Sequence, residues 1–320
     1  MTVSYTRPLR LGIARMRSIL LSPFDLGNWL AIGFAAFLAG LMDGNMGGGG
    51  SVSDDDALDG VREGLEGLVS GGWEAVLASA VAVIVAALIV TAILLVLTIC
   101  LWLSSRGKFM FLDTVVTGTG RVRAPWAEYR AEGNSLFRWR LGFLVATGAA
   151  GLLVLGAAAL ILIPRGDPFE TAGSIAVFIV LLVLLLTLGL FYAFVTLLLE
   201  NFVVPVMYRR RLPATAAWSV FLPLLKERLA EFVLYALFVF VLFVGVAVVV
   251  GVVGLLTCCV GFLLLAIPYV GSVLMLPVTV SYRAFSLEFL GQFGSEYWEE
   301  PRIPEGPPTP PQPPLPPGES

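Results

Sequence analysis

The 320-residue chain is 58% hydrophobic and 13% charged, with a mean hydropathy of +0.90 and a formal net charge of −3. Soluble domains carry about 25% charged residues, so this composition, with several long charge-free runs, excludes a soluble domain and indicates a polytopic membrane protein. The absence of histidine removes the commonest general base and metal ligand, and Cys100, Cys258 and Cys259 are too few for a disulfide framework.

Only helices and closed barrels satisfy their backbone in lipid. The apolar runs lack the period-two alternation of barrel strands, so the expected fold is all-α. It is an integral membrane bundle of about six transmembrane helices, with interfacial amphipathic helices on the cytoplasmic side. The membrane domain is expected over 1–294 and a Pro-rich tail over 295–320.

The chain opens with an apolar stripe, Leu9, Ile13, Met16 and Leu20, flanked by Arg10 and Arg17. The first expected span, 25–42, is short and contains glycine. Asp25 and Asn28 precede its apolar run and no A-x-A pattern ends it, so it reads as a retained span and not a secretory signal. An acidic, Gly-rich extracytoplasmic loop is expected at about 43–74. Asp54, Asp55 and Asp56 are consecutive there and lack the alternate spacing of a Ca²⁺ loop.

The second span, 77–103, is followed by "RGKFMFLD" at 106–113. A nucleotide-binding loop needs G-x-x-x-x-G-K-[ST]. Here Phe109 follows Lys108 and the earlier glycine is missing. The stretch reads as a cytoplasmic span end, with Gly107 allowing a turn and Asp113 capping it or pairing with a cation. An amphipathic helix is expected next, its apolar face being Trp126, Tyr129, Gly133, Leu136 and Phe137. Spans at 141–163 and 174–199 follow, then a third stripe of Trp218, Phe221, Leu225 and Leu229. Such helices lie at lipid headgroups with their cations toward anionic lipid.

The last two spans, 232–258 and 262–282, are expected as a tight hairpin. Ala247, Gly251, Gly254, Cys258 and Gly261 form a small-residue face suited to close helix packing, as do Gly142, Ala146 and Ala150. That face also gives the cysteines a packing role. Pro268 and Pro277, with Gly271 between them, predict a kinked or broken helix, and with it a candidate ligand pathway. The tail from Pro301 to Ser320 contains ten prolines and is expected to be extended.

Eighteen of the twenty Lys and Arg residues fall on one side of this threading, leaving Arg62 and Arg165 on the other. The positive-inside rule therefore predicts cytoplasmic N- and C-termini in the cell inner membrane. Candidate anionic-lipid contacts are Arg106, Lys108, Arg121, Arg123, Arg138, Arg140, Arg209, Arg210 and Arg211. Asp25, Glu200 and Glu231 sit at span ends, where capping or snorkelling accounts for them. With no convergent acid, base or nucleophile, the expectation is a non-enzymatic protein without a cofactor. Its partners are membrane lipids, or a protein docking on the tail or the interfacial helices, and not nucleic acid. A permease for a lipid-like or small apolar substrate, with its pathway near Pro268 and Pro277, is the alternative.

The stretches "SSRGKFMFLD" and "SYRAFSLEFLGQFG" resemble uncharacterised prokaryotic multi-pass membrane families. More distantly, the chain is similar to the membrane domain attached to some glycerophosphodiester phosphodiesterases. The resemblance covers about residues 5–295 and implies a location and an architecture. It supplies no catalytic residue, because this sequence shows neither the barrel pattern of the phosphodiesterase domain nor a histidine to serve it.

Overall fold

The computed structural model describes residues 3–22, 24–42, 73–121, 123–162, 172–257, 260–294 and 296–299. The acidic loop over 43–72, Arg165, Cys258, Cys259 and the tail beyond residue 299 lie outside the described residues. The fold is all-α. Its helices are α1 (Thr6–Leu20), α2 (Leu26–Gly40), α3 (Trp73–Thr117), α4 (Arg123–Glu128), α5 (Arg130–Leu162) and α6 (Ala172–Leu198). A π turn, Leu199–Val203, leads into α7 (Val204–Arg210), followed by α8 (Ala214–Glu227), α9 (Leu229–Leu256), α10 (Val260–Ala266), α11 (Pro268–Leu274) and α12 (Leu276–Gly291).

Among the described residues, four stretches are long and apolar enough to cross a membrane: Val81–Thr117, Arg130–Ala158, Ile175–Arg210 and Leu229–Leu256. The pair α11 and α12, bent by 62°, makes a fifth if counted as one broken span. The expected first span is only the 15-residue α2, about 22 Å long at 1.5 Å per residue and short of the roughly 30 Å hydrocarbon core.

Helix α3 shows how the molecule is divided. At 45 residues it runs about 67 Å, roughly twice the hydrocarbon thickness. From Val81 to Ile99 it is apolar and open on nearly every side, with Leu88 65% and Leu95 61% exposed. Its second half is buried almost continuously from Leu101 to Val116, polar residues included. The open half suits lipid, where apolar side chains need no protein cover. The buried half belongs to a packed core.

The other spans meet that core in a consistent way. It takes the C-terminal end of α3, the N-terminal end of α5, the C-terminal end of α6 and the N-terminal end of α9. Alternating threading places those four ends on one side of a bilayer. Phe202 anchors the core, lying 4.9 Å from both Phe232 and Tyr235 by ring centroids, while Tyr235 sits 4.6 Å from Phe289. Aromatic pairs at such separations add about 0.5–1.5 kcal/mol each beyond their burial.

Residues of the expected apolar stripes lie against this core, although Leu229 is 51% exposed. Leu20, Tyr129, Leu136, Trp218 and Phe221 are all buried in it. Helix α1 lies along α12 so closely that a Cβ on Gly12 would come within 2.8 Å of the backbone at Ser281 and Phe285.

Two sequence expectations are corrected by this packing, and the expected break in the last span is found. Gly107 makes no turn: it is inside α3, where a Cβ would meet the Leu38–Ala39 backbone at 2.6 Å. That close crossing sets α2 antiparallel to the buried half of α3, with Gly120 against Asn28 at the other end. The first expected span therefore does not run beside the lipid-exposed half of α3. The sixth is broken at Ile267 and Met275 into three pieces.

Each proline in that last region begins a helix and does not interrupt one. Pro268 and Pro277 occupy first-turn positions of α11 and α12, where the missing N–H costs nothing. Gly271 lies where α11 folds back on α10, a Cβ there falling 2.4 Å from the Leu265 carbonyl oxygen. The break is closed by α2: Trp29 Nε1 donates to the Val273 carbonyl at 3.3 Å, and the Tyr269 hydroxyl donates to that of Leu30 at 3.0 Å. The expected hairpin between α9 and α10 forms, with Gly254 packed on Phe262 and Gly261 on Gly254. Gly251 and Gly142 have nothing within 4 Å.

Candidate functional site

Buried charge gathers where the four spans converge, and the π turn makes this possible. In the turn the Val204 N–H bonds to the Leu199 carbonyl, five residues back, in place of the usual four. Such single turns inside α-helices often mark functional positions. The Glu200 carboxylate lies 2.8 Å from Lys108 Nζ and 3.7 Å from the Arg140 guanidinium, while the Glu200 carbonyl accepts from Arg283 Nη1. The neighbouring Asn201 amide donates to the Tyr282 hydroxyl at 2.7 Å. Arg140 also donates to Ser104 Oγ, which in turn donates to the Ala39 carbonyl. One network thus ties α2, α3, α5, the π turn and α12 together.

Arg106 makes a separate contact set. Its guanidinium is 4.4 Å from the Trp102 ring centroid and 5.2 Å from that of Trp126, and it donates to Asn134 Oδ1 at 3.1 Å. Trp102 Nε1 donates to the same oxygen. Guanidinium–indole contacts of this kind contribute about 1–2 kcal/mol when desolvated.

A third cluster lies at the far end of α3. The Tyr208 hydroxyl donates to Asp113 Oδ1 at 2.8 Å, and its ring stacks on Tyr129 with centroids 4.7 Å apart. Burial pushes the Tyr129 phenol above its ordinary pKa, so it stays protonated. Arg211 covers the Tyr129 ring at 3.9 Å and pairs with Glu128 and Glu132. Arg211 ends α7 in the left-handed region at φ 54°, a conformation costing a side-chain-bearing residue about 1–2 kcal/mol. Its two glutamate partners and the tyrosine face offset that cost.

These contacts divide the nine candidate lipid contacts into three classes. Arg106, Lys108 and Arg140 are buried and engaged with protein groups. Arg209, Arg210 and Arg211 are exposed but tied to Glu299, the Glu296 carbonyl and Glu128. Arg121, Arg123 and Arg138 are exposed and make no ion pair among the described residues. Sequence reasoning placed Glu200 at a span end and missed its role as the partner of Lys108 and Arg140. It also did not foresee that Asp113 pairs with Tyr208. The available signal was a lone glutamate between apolar runs in a chain with several basic span ends.

Two cavities border these groups. The smaller, about 40 Å³, lies between α3, α5 and α6 beside Leu101, Arg140, Phe143 and Tyr192 and has room for about one water. The larger, about 240 Å³, is walled by Tyr129, Tyr208, Arg209, Arg211, Trp298 and Glu299. Neither is lined by Pro268, Gly271 or Pro277.

Among known proteins, neither a curated protein nor a solved structure matches the chain. A family model described as a family of unknown function, DUF7544, matches residues 7–297, covering α1 to α12 and the residues of all three charged clusters. The chain belongs to that family.

Proposed function

We propose that this is a non-enzymatic membrane protein that holds anionic lipid at the cytoplasmic face of the inner membrane. The observation carrying this reading is the sorting of its arginines. Arg121, Arg123 and Arg138 stand exposed near the α3–α5 junction without ion pairs among the described residues, while the basic residues of the core are engaged. Each such cation at a membrane surface contributes about 1 kcal/mol toward anionic lipid. Arg130 adds a fourth exposed cation on the same segment.

The positive-inside rule supports placing this face in the cytoplasm. The ion-pair networks hold helices together. Native mass spectrometry of the purified protein tests the reading. Acidic phospholipid should co-purify in preference to zwitterionic lipid, and retention of both in bulk proportion would contradict it.

The permease reading draws on the broken α11–α12 pair, because broken helices line sites in some transporters. Here Trp29 donates to the Val273 carbonyl at the break and Tyr269 donates to the Leu30 carbonyl of α2, two bonds between α2 and α11 that favour a packed joint over a pathway.

A further inference from the structure

The smaller cavity lies where α3, α5 and α6 change from open to buried. Ile99, Leu144 and Phe191 are exposed on its membrane side, while Leu101, Arg140 and Leu198 are buried on the other. Trp139 stacks on Phe143 with centroids 5.2 Å apart, and Phe143 on Tyr192 at 5.4 Å. All three rings line the cavity. Trp and Tyr collect at membrane–water interfaces, so this is the level of lipid headgroups and glycerol.

Most of the wall is apolar, but Arg140, Tyr192 and Thr196 are part of it. Elsewhere in the spans Thr91, Thr98, Thr147 and Thr187 each donate to the carbonyl four residues back, a local bond that satisfies the hydroxyl within its own helix. Thr196 makes no such bond. Neither its hydroxyl nor that of Tyr192 has a hydrogen-bond partner among the described residues. Four residues apart on α6, the two share a face. Arg140 is fixed beside the same cavity, donating to Ser104 Oγ at 3.1 Å and lying 3.7 Å from Glu200. Hydroxyls left without a partner in apolar surroundings cost free energy. All three groups can donate, so the site calls for an acceptor.

Size and access narrow the choice of acceptor. At about 40 Å³ the cavity admits one water-sized group, an oxygen and not a whole headgroup. The exposed Leu144 and Phe191 put its membrane side against hydrocarbon, which a lipid can approach and a soluble anion cannot. We infer that the cavity takes a phosphoryl oxygen of one glycerophospholipid from the leaflet on the core side. Tyr192, Thr196 and Arg140 donate to that oxygen, and the acyl chains lie along the open apolar faces of α5 and α6. The phosphate is common to all phospholipids, so this site is indifferent to headgroup charge. It is separate from the exposed arginines, and either reading can fail without the other.

The test uses the full chain, delipidated in detergent, with phosphatidylcholine added, a zwitterionic lipid to which a preference for acidic headgroups does not apply. In native mass spectrometry the wild type should retain one phosphatidylcholine, and its melting midpoint should rise with the lipid. Thr196→Val together with Tyr192→Phe keeps the shape of the wall. It should weaken that binding at least tenfold and leave the lipid-free midpoint unchanged. Diacylglycerol, which lacks the phosphate, should bind the wild type no better than the double variant, and inorganic phosphate should not displace the lipid. Equal binding of phosphatidylcholine by the two proteins would overturn the proposal, as would a lowered lipid-free midpoint in the variant. So would diacylglycerol binding as well as phosphatidylcholine, or displacement of the lipid by inorganic phosphate.

Discussion

Lys108 Nζ lies 2.8 Å from Glu200 Oε1, joining the buried half of α3 to the π turn that ends α6. With Arg140 and Arg283 on the same glutamate, this pair makes Glu200 the point where the spans are held at fixed relative depth. Removing one member of a buried ion pair leaves the other charge desolvated, at a cost of about 3–5 kcal/mol. Glu200→Gln should therefore lower the thermal unfolding midpoint in detergent, by the equivalent of about 3 kcal/mol. Glu231→Gln, whose partner Arg228 is a third exposed, should shift it by less than about 1 kcal/mol.

Gly107 gives a steric test of the fold. A methyl group at this position would sit 2.6 Å from the Leu38–Ala39 backbone, and overpacking of a core crossing costs about 1–3 kcal/mol. Gly107→Ala should destabilise the protein by about 2 kcal/mol. Gly142→Ala, with nothing within 4 Å, should be neutral or slightly stabilising because alanine favours the helix. Equal effects of the two changes in a thermal melt would contradict the packing of α2 on α3.

These two positions also show what the sequence made legible. Four of the apolar runs and the breaks at Pro268 and Pro277 follow from local composition, and they appear in the structure as spans and as helix starts. Gly107 was not legible, because a glycine that permits a turn and one that permits a helix crossing look alike until the partner helix is placed. Glu200 was hidden for a related reason. A π turn depends on one displaced hydrogen bond and leaves no periodic pattern, so nothing in "LLLENFVV" announced that the carboxylate turns inward. For α2, fifteen apolar-rich residues fit either a short span or a core helix, and only packing decides.

Arg106 separates charge from shape. Its guanidinium contacts both Trp102 and Trp126 while bonding Asn134, which needs a planar cation and not merely a positive one. Arg106→Lys should lose about 1–2 kcal/mol of stability. It should also expose the two tryptophans, read as increased fluorescence quenching by acrylamide. Retention of wild-type stability and quenching would show that charge alone suffices.

The threading predicts an orientation. A periplasmic reporter enzyme fused after Ser320 should be inactive, and a cytoplasmic reporter at the same place active. The opposite pair of results would move the arginine-bearing core to the outer side and remove the basis for cytoplasmic lipid binding.

The claim that the exposed arginines hold anionic lipid is tested most directly by native mass spectrometry on Arg121→Gln/Arg123→Gln/Arg138→Gln beside the wild type. Both proteins would be released from nanodiscs of mixed acidic and zwitterionic phospholipid. Three surface cations at about 1 kcal/mol each amount to roughly a hundredfold preference. The account predicts that the wild type retains acidic lipid and that the triple variant loses most of that preference while its melting behaviour is unchanged. Equal retention of acidic lipid by a folded triple variant would contradict it.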